Sequence, residues 1–182
     1  MRVLNSYVES GALERKMLGN TFLFAILTGF RRGEIFKLSL PDVDLARRII
    51  TLRDPKSGRD EVVEVSKKAI EIIHNQLELI NRNKIKAKAI FCLSNGARRV
   101  IIKNQFTMLK KRAGITRHFR FHDLRHNFAT AALDTGAELH VVQRLLTHKD
   151  PKTTLKYAHL KTGRVGAAAD AVSKYMLDER QG

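Results

Sequence analysis

Residues 17–38 read MLGNTFLFAILTGFRRGEIFKL. Met17, Leu18, Phe22, Ala25 and Ile26 recur every three to four positions, the repeat that lines up apolar side chains on one face of an α-helix. Gly29 breaks the pattern, and Glu34, Ile35 and Leu38 begin a second, shorter helical run. The first forty residues therefore read as helix, turn, helix. Between the two helices lies the polar, glycine-flanked segment Thr28-Gly29-Phe30-Arg31-Arg32-Gly33-Glu34.

The pattern changes after Pro41. Ile49, Ile50 and Leu52 precede Asp54-Pro55-Lys56-Ser57-Gly58, and Val62, Val63 and Val65 follow it, so two β-rich runs flank a Pro/Gly turn with Lys56 at its tip. Helical spacing returns over residues 66–81, 100–113, 123–134 and 138–146, with Gly136 as a helix stop and residues 89–93 as a short strand. Asp150-Pro151 has the form of a helix start, Asp as N-cap and Pro at the first helical position, which puts Tyr157 within or at the end of a short helix. Beyond it, Val165, Ala168, Ala169, Val172 and Met176 share one face, so residues 163–182 read as an amphipathic helix that needs a docking surface. The expected fold class is mainly α with a small antiparallel β-sheet. No linker divides residues 1–182, which favours one domain.

Charge narrows the partner. The chain holds 34 Lys and Arg against 18 Asp and Glu, a net charge of +16, while 43% of its residues are apolar. That balance excludes a disordered basic tail and describes a folded protein that attracts a polyanion. From Leu79 through His122 there is no acidic residue, whereas Arg82, Lys84, Lys86, Lys88, Arg98, Arg99, Lys103, Lys110, Lys111, Arg112, Arg117 and Arg120 are all basic. These twelve are the candidate nucleic-acid contacts, though charge alone does not separate DNA from RNA. The single cysteine, Cys92, precludes an internal disulfide, and its neighbours Ile90, Phe91 and Leu93 suggest a buried thiol, so a reducing cytoplasm is the expected compartment. The longest apolar run, Phe22 to Leu27, is too short to span a bilayer, and no membrane partner is expected.

Four polar segments carry candidate chemistry: residues 28–34, Lys56, His122-Asp123-Leu124-Arg125-His126, and His148 with Tyr157 nine residues later. Each alone has a structural explanation; a lysine at a turn or an arginine at a helix start is usually just solvated. Together they match the needs of phosphodiester transesterification. The transition state spreads negative charge over non-bridging oxygens, which two guanidinium groups, Arg31 and Arg125, can clamp. A tyrosine nucleophile, Tyr157, must shed a proton from a group with a pKa of about 10, and His122 is the candidate base. The departing 5′-oxygen needs a proton, which Lys56 on a hairpin tip can supply as general acid. No cluster of carboxylates or Cys/His stands at ligand spacing, and no Walker-type loop is present, so neither a metal nor a nucleotide cofactor is expected.

The ordered set Thr28-Gly29-x-Arg31-x-Gly33-Glu34, Lys56 between two strands, His122-x-x-Arg125-His126, His148 and Tyr157-Ala158-His159 resembles the tyrosine recombinase, or phage integrase, family from about Thr21 onward. The resemblance implies an integrase-type catalytic domain in which Arg31 and Arg125 bind the scissile phosphate and Lys56 protonates the leaving oxygen. His122 helps proton transfer, His148 hydrogen-bonds the phosphate, Glu34 orients the site, and Tyr157 forms a 3′-phosphotyrosyl link. It further implies double-stranded DNA as partner, a homo-tetramer on DNA for the full-length protein, and the terminal helix docking in cis or in trans. The isolated domain is expected to be a monomer. Two departures stand out. Thr147 occupies a position where similar proteins usually carry glycine, and only about twenty residues precede the first motif, where members usually have a helical core-binding domain, so an isolated catalytic domain is expected. Two alternatives stay open at this level: a type IB topoisomerase using the same chemistry, and a non-catalytic DNA-binding module on the same fold.

Overall fold

The computed structural model of the chain describes residues 2–53, 60–147, 151–155 and 172. Its elements run α1 (Arg2–Val8), α2 (Leu13–Thr28), α3 (Arg32–Lys37), a 3-10 turn (Leu40–Asp42), β1 (Val43–Asp44), β2 (Ile49–Leu52), β3 (Glu61–Glu64), α4 (Lys67–Arg82), α5 (Lys103–Arg112), α6 (Asp123–Asp134), α7 (Leu139–Leu145) and α8 (Pro151–Leu155). The expected class is the observed one: helices predominate, and one antiparallel sheet of order β1-β2-β3 accompanies them.

Helix α2 is the axis of the fold. Its apolar residues surround it almost completely, as befits a helix packed on several sides, and α1, α4 and α6 all lie against it. Phe22 and Phe24 are wholly buried; Phe24 stacks on Phe91 at 4.6 Å between ring centroids and meets Phe30 edge-on at 5.8 Å. Two polar residues inside this core are hydrogen-bonded: Asn20 Nδ2 donates to Gln76 Oε1 at 3.1 Å, and Gln76 Nε2 donates to the Ile90 carbonyl at 3.1 Å.

The sheet contributes one face to the same core. Ile50 pairs with Val63, and both side chains are buried, while the next pair, Thr51 and Val62, turns away and leaves Val62 exposed. Helix α4 starts where Ser66 Oγ accepts from Ala69 N at 3.2 Å, and it buries Ala69, Ile70, Ile72 and Ile73 on the side facing α2. A second, much smaller apolar cluster, Ala129, Leu133, Val142 and Leu146, joins α6 to α7.

Several boundaries differ from expectation. Residues 89–93 form no strand: Ile90 N donates to the Leu38 carbonyl at 2.9 Å, Leu93 N to Ala97 O at 2.9 Å, and only a single bridge links Cys92 with Arg98. That apolar run is buried by loop and side-chain hydrogen bonds instead of by a ladder. Helix α5 begins at Lys103 and not at Val100, while α1 and the two-residue β1 were not foreseen. The tip bearing Lys56, together with His148 and Tyr157, lies outside the described residues, as does residues 163–182 apart from Val172. Among the described residues no helix is long and apolar enough to cross a membrane. Cys92 is buried and unpaired, and burial pushes its thiol pKa up.

Candidate active site

The end of α2 sets up the site. Gly29 closes the helix in the left-handed conformation, φ 63°, with its N–H donating to Ala25 O at 3.0 Å. A Cβ there would lie 2.9 Å from Leu146 Cδ2 and 2.9 Å from Phe128 Cδ1, so this turn is pressed against α6 and the end of α7. Two residues later the chain enters α3, and the Glu34 carboxylate accepts from Arg31 N at 2.6 Å and from Arg31 Nη1 at 2.7 Å. Glu34 thus caps the helix and holds the arginine with one group.

Arg125 approaches from the first turn of α6. It is 3% exposed, and its guanidinium donates Nη1 to the Gly29 carbonyl at 3.0 Å and Nη2 to the Leu146 carbonyl. Arg31, with a side chain 45% exposed, reaches the same neighbourhood: its Nη1 donates to Thr147 Oγ1 at 3.4 Å. Two arginines 94 positions apart are therefore tied to adjacent residues, Leu146 and Thr147, immediately before the segment that contains His148. Thr147 has φ 49°, the left-handed region that a β-branched residue seldom occupies. This backbone geometry gives the physical reason why glycine suits that position.

His122 stands just before α6, exposed, with its ring edge-on to His126 at 5.3 Å. Asp123 holds this corner: its carboxylate accepts from Arg120 N at 2.8 Å and from Arg120 Nη2 at 3.3 Å. The backbone N–H of Arg120, then its guanidinium and the charge of His126, hold the Asp123 pKa below the usual carboxylate value. His122 and Arg31 share one groove of about 640 Å³, into which Lys103, Lys110 and Arg120 also face. Arg32 and His118, which the sequence reading did not single out, line it too. The signals were available: Arg32 adjoins Arg31, and His118 sits inside the acid-free stretch.

The remaining basic candidates scatter. Arg112 packs over the Tyr7 ring at 5.4 Å and Arg117 over Phe119 at 5.4 Å. Arg82 lies 3.7 Å from Glu78, while Lys84 and Lys111 are exposed. Lys86, Lys88 and Arg98 border a different recess. Arg99 is a correction: it is 1% exposed, with Nη2 donating to Glu14 Oε1 at 2.6 Å and to the Cys92 carbonyl at 3.1 Å. Its ion pair with Glu14, which also accepts from Ser94 N, commits this guanidinium to pinning the turn. Among the described residues no three His, Cys, Asp or Glu side chains group as a metal site.

Comparison with known proteins gives a consistent picture. The model of the phage integrase family matches residues 1–164. The chain is 34% identical over 146 residues to tyrosine recombinase XerC of Actinobacillus pleuropneumoniae, covering 79% of this chain and 47% of that protein. It is 35% identical over 139 residues to tyrosine recombinase XerD of Lacticaseibacillus casei, covering 73% and 47%. It thus spans about half the length of the curated relatives it matches. Among solved structures, the XerA recombinase superposes with a TM-score of 0.72 at 26% identity, covering 93% of this chain and 61% of that one. The catalytic domain of bacteriophage HP1 integrase shares the fold, with a TM-score of 0.64 at 22% identity over 93% of this chain and 88% of that one.

Proposed function

The chain belongs to the phage integrase family, and on that premise we propose that it is the catalytic domain of a site-specific recombinase that cuts and rejoins duplex DNA. The observation that carries the reading is the meeting of Arg31 and Arg125 at Leu146–Thr147, with Arg31 also lining the groove that holds His122 and further basic side chains. Such a convergence supplies fixed positive charge where a phosphoryl group in transfer accumulates negative charge. Anchoring two N–H groups of Arg125 on backbone carbonyls fixes the plane of its guanidinium before substrate arrives, so little reorganisation is needed in the transition state.

The reaction follows from these parts. Tyr157 Oη attacks phosphorus, a phosphotyrosyl bond forms to the 3′ side, and the bond from phosphorus to the 5′-oxygen breaks. Lys56 delivers the proton that the leaving oxygen needs, and His122 manages the proton of the nucleophile. His148 hydrogen-bonds a non-bridging oxygen. Rejoining is the reverse attack by a 5′-hydroxyl; because the phosphotyrosine conserves the energy of the broken bond it requires no ATP, and the two guanidinium groups supply the charge on the phosphoryl oxygens that a metal would otherwise supply. Residues 1–182 constitute one catalytic domain, a monomer when isolated; in the longer protein four such domains assemble on DNA, with residues 163–182 docking onto the fold in cis or in trans.

A nicked suicide duplex carrying a sequence selected by the protein from a random pool tests the proposal. The expected result is a covalent protein–DNA adduct on a denaturing gel, absent with Tyr157→Phe and reduced at least a hundredfold with Arg31→Ala. An adduct band that persists in Tyr157→Phe, or no adduct with the parent protein, overturns it. Replacing the bridging 5′-oxygen by sulfur should restore cleavage by Lys56→Ala, because a thiolate leaves without protonation; lack of rescue removes Lys56 from the general-acid role.

A further inference from the structure

Four exposed cations, Lys37, Lys86, Lys88 and Arg98, border a second recess of about 410 Å³ together with Ser39 and Gly96. No carboxylate lines it, and among the described residues none of the four cations has an ion-pair partner. A concavity of one sign focuses its field on whatever anion enters.

The recess is built from firmly joined backbone. Leu93 N donates to Ala97 O and Gly96 N to Leu93 O, both at 2.9 Å, which closes a tight turn just before Arg98. Gly96 has φ 84°, and a Cβ there would sit 2.3 Å from the Lys86 carbonyl oxygen, so the turn is pressed directly onto the segment bearing Lys86 and Lys88. Glu14 fastens the turn from α2, accepting from Ser94 N at 2.7 Å and from the buried Arg99 at 2.6 Å. The Ile90 N–H bond to Leu38 O ties the same segment to the end of α3, where Lys37 stands. Four like charges are thus held together by backbone contacts despite their mutual repulsion.

Helix α3 relates this recess to the catalytic groove. Arg31, Arg32 and Gly33 open into the groove at one end of the helix, and Lys37 lies in the recess at the other. From Arg32 to Lys37 the helix axis advances about 8 Å, against roughly 3.4 Å of duplex axis for each phosphate of one strand, so the two openings are set apart by more than one phosphate's axial rise. Four cations spread around an open recess outnumber the ligands one small anion can use, and suit a row of phosphates instead. We propose that the recess of Lys37, Lys86, Lys88 and Arg98 is a second backbone-binding site, gripping the same duplex at phosphates displaced from the one that is cut. This rests on the reading of the Arg31 groove as the site of DNA cleavage.

Phosphate-ethylation interference on the selected duplex, read alongside the salt dependence of binding, tests it. The parent protein should show two blocks of sensitive phosphates, one at the cut and one displaced from it. The variant Lys37→Ala/Lys86→Ala/Lys88→Ala/Arg98→Ala should lose the displaced block, keep the block at the cut, and flatten the slope of log K against log salt by roughly two to three. The milder pair Lys37→Gln/Arg98→Gln should give about half that change, and serves if the fourfold variant melts early. A displaced block that survives in the variants, or an unchanged slope, overturns the second site while leaving the cleavage reading intact. A parent protein with no sensitive phosphates at the cut overturns both. Variants that lose affinity for inorganic phosphate or for an RNA strand but keep the duplex slope would overturn the proposal in favour of another anion.

Discussion

The two apolar clusters of this molecule differ in size and in task. Around α2 a large core draws on α1, α4, α5 and the sheet, and its polar members, Asn20 and Gln76, pair with each other. Between α6 and α7 only Ala129, Leu133, Val142 and Leu146 are buried together, yet Arg125 and Thr147 sit on that small cluster. Arg31 follows the helix of the main core, Arg125 lies on α6 between Leu124 of that core and Ala129 of the small one, and the two arginines come together where the clusters touch, at Gly29 and Leu146. The geometry of the proposed site is therefore set at a seam between a large apolar cluster and a small one, where opening is expected to cost less than within the large core.

Truncation on each side is the sharpest way to break this contrast. Phe24→Ala, which removes a ring packed on Phe30 and Phe91, should cost about 3–5 kcal/mol and lower the melting temperature of the whole domain. Leu133→Ala should cost about 2–3 kcal/mol, at the low end for such a change because so small a cluster can relax around the gap. Hydrogen exchange distinguishes them: Leu133→Ala should speed exchange in α6 and α7 and spare α2. Uniform acceleration throughout would mean that the two clusters unfold as one.

The seam itself is tested by Gly29→Ala. The left-handed backbone costs a non-glycine residue about 1–2 kcal/mol, and the added methyl meets Leu146 and Phe128. A loss of about 2 kcal/mol in stability with a tenfold or greater loss of covalent adduct is expected, since α2 and α6 must separate slightly and Arg125 loses its register with the Gly29 carbonyl. An adduct yield equal to the parent's would show that the contact between the clusters does not set the site.

The same contrast explains what the sequence disclosed. Helices α2, α4 and α6 were legible because each obeys a local rule, whether apolar periodicity, a serine N-cap or a glycine stop. Arg31, Glu34, His122 and Arg125 stood out as candidates for one chemistry, because the residue types and their order matched a family; the meeting of Arg31 and Arg125 at Leu146–Thr147 was not legible, since it depends on contacts spanning up to 116 positions. Arg99 misled for that reason: its charge is evident in the chain, but Glu14, 85 residues away, is not. Residues 89–93 misled because buried apolar runs look alike whether their backbone bonds go to a strand or, as here, to Leu38 and Gln76.

Thr147 sharpens the comparison from the weaker side. Its left-handed φ is strained for a β-branched residue, while its hydroxyl accepts from Arg31. Thr147→Gly should stabilise the chain by about 1 kcal/mol in thermal unfolding, the relief of strain exceeding the greater freedom of the unfolded glycine. Thr147→Ala keeps much of the strain and loses the hydroxyl, so it should not gain stability. If both variants melt alike, the strain at this position is negligible.

Acid offers the mildest perturbation. The folded pKa of Asp123 lies below its unfolded value, owing first to the Arg120 backbone N–H, then to the Arg120 guanidinium and the charge of His126. A depressed carboxylate pKa means that the ionised form favours the folded state: its contribution is complete above the unfolded pKa of about 3.9, and it is withdrawn as pH falls through the lower folded value. Because Asp123 secures the turn that enters α6, protonation should loosen His122 and the small cluster before it reaches α2. Fluorescent labels on α6 and on α4, followed from pH 6 to pH 2, should report the α6 transition at the higher pH, and Asp123→Asn should narrow the gap between the two. Coincident transitions in the parent protein would place the acid sensitivity elsewhere, with Asp42 the leading candidate: against the desolvation that raises its pKa, hydrogen bonds from Ser39 and Arg53 hold it down at the edge of the sheet.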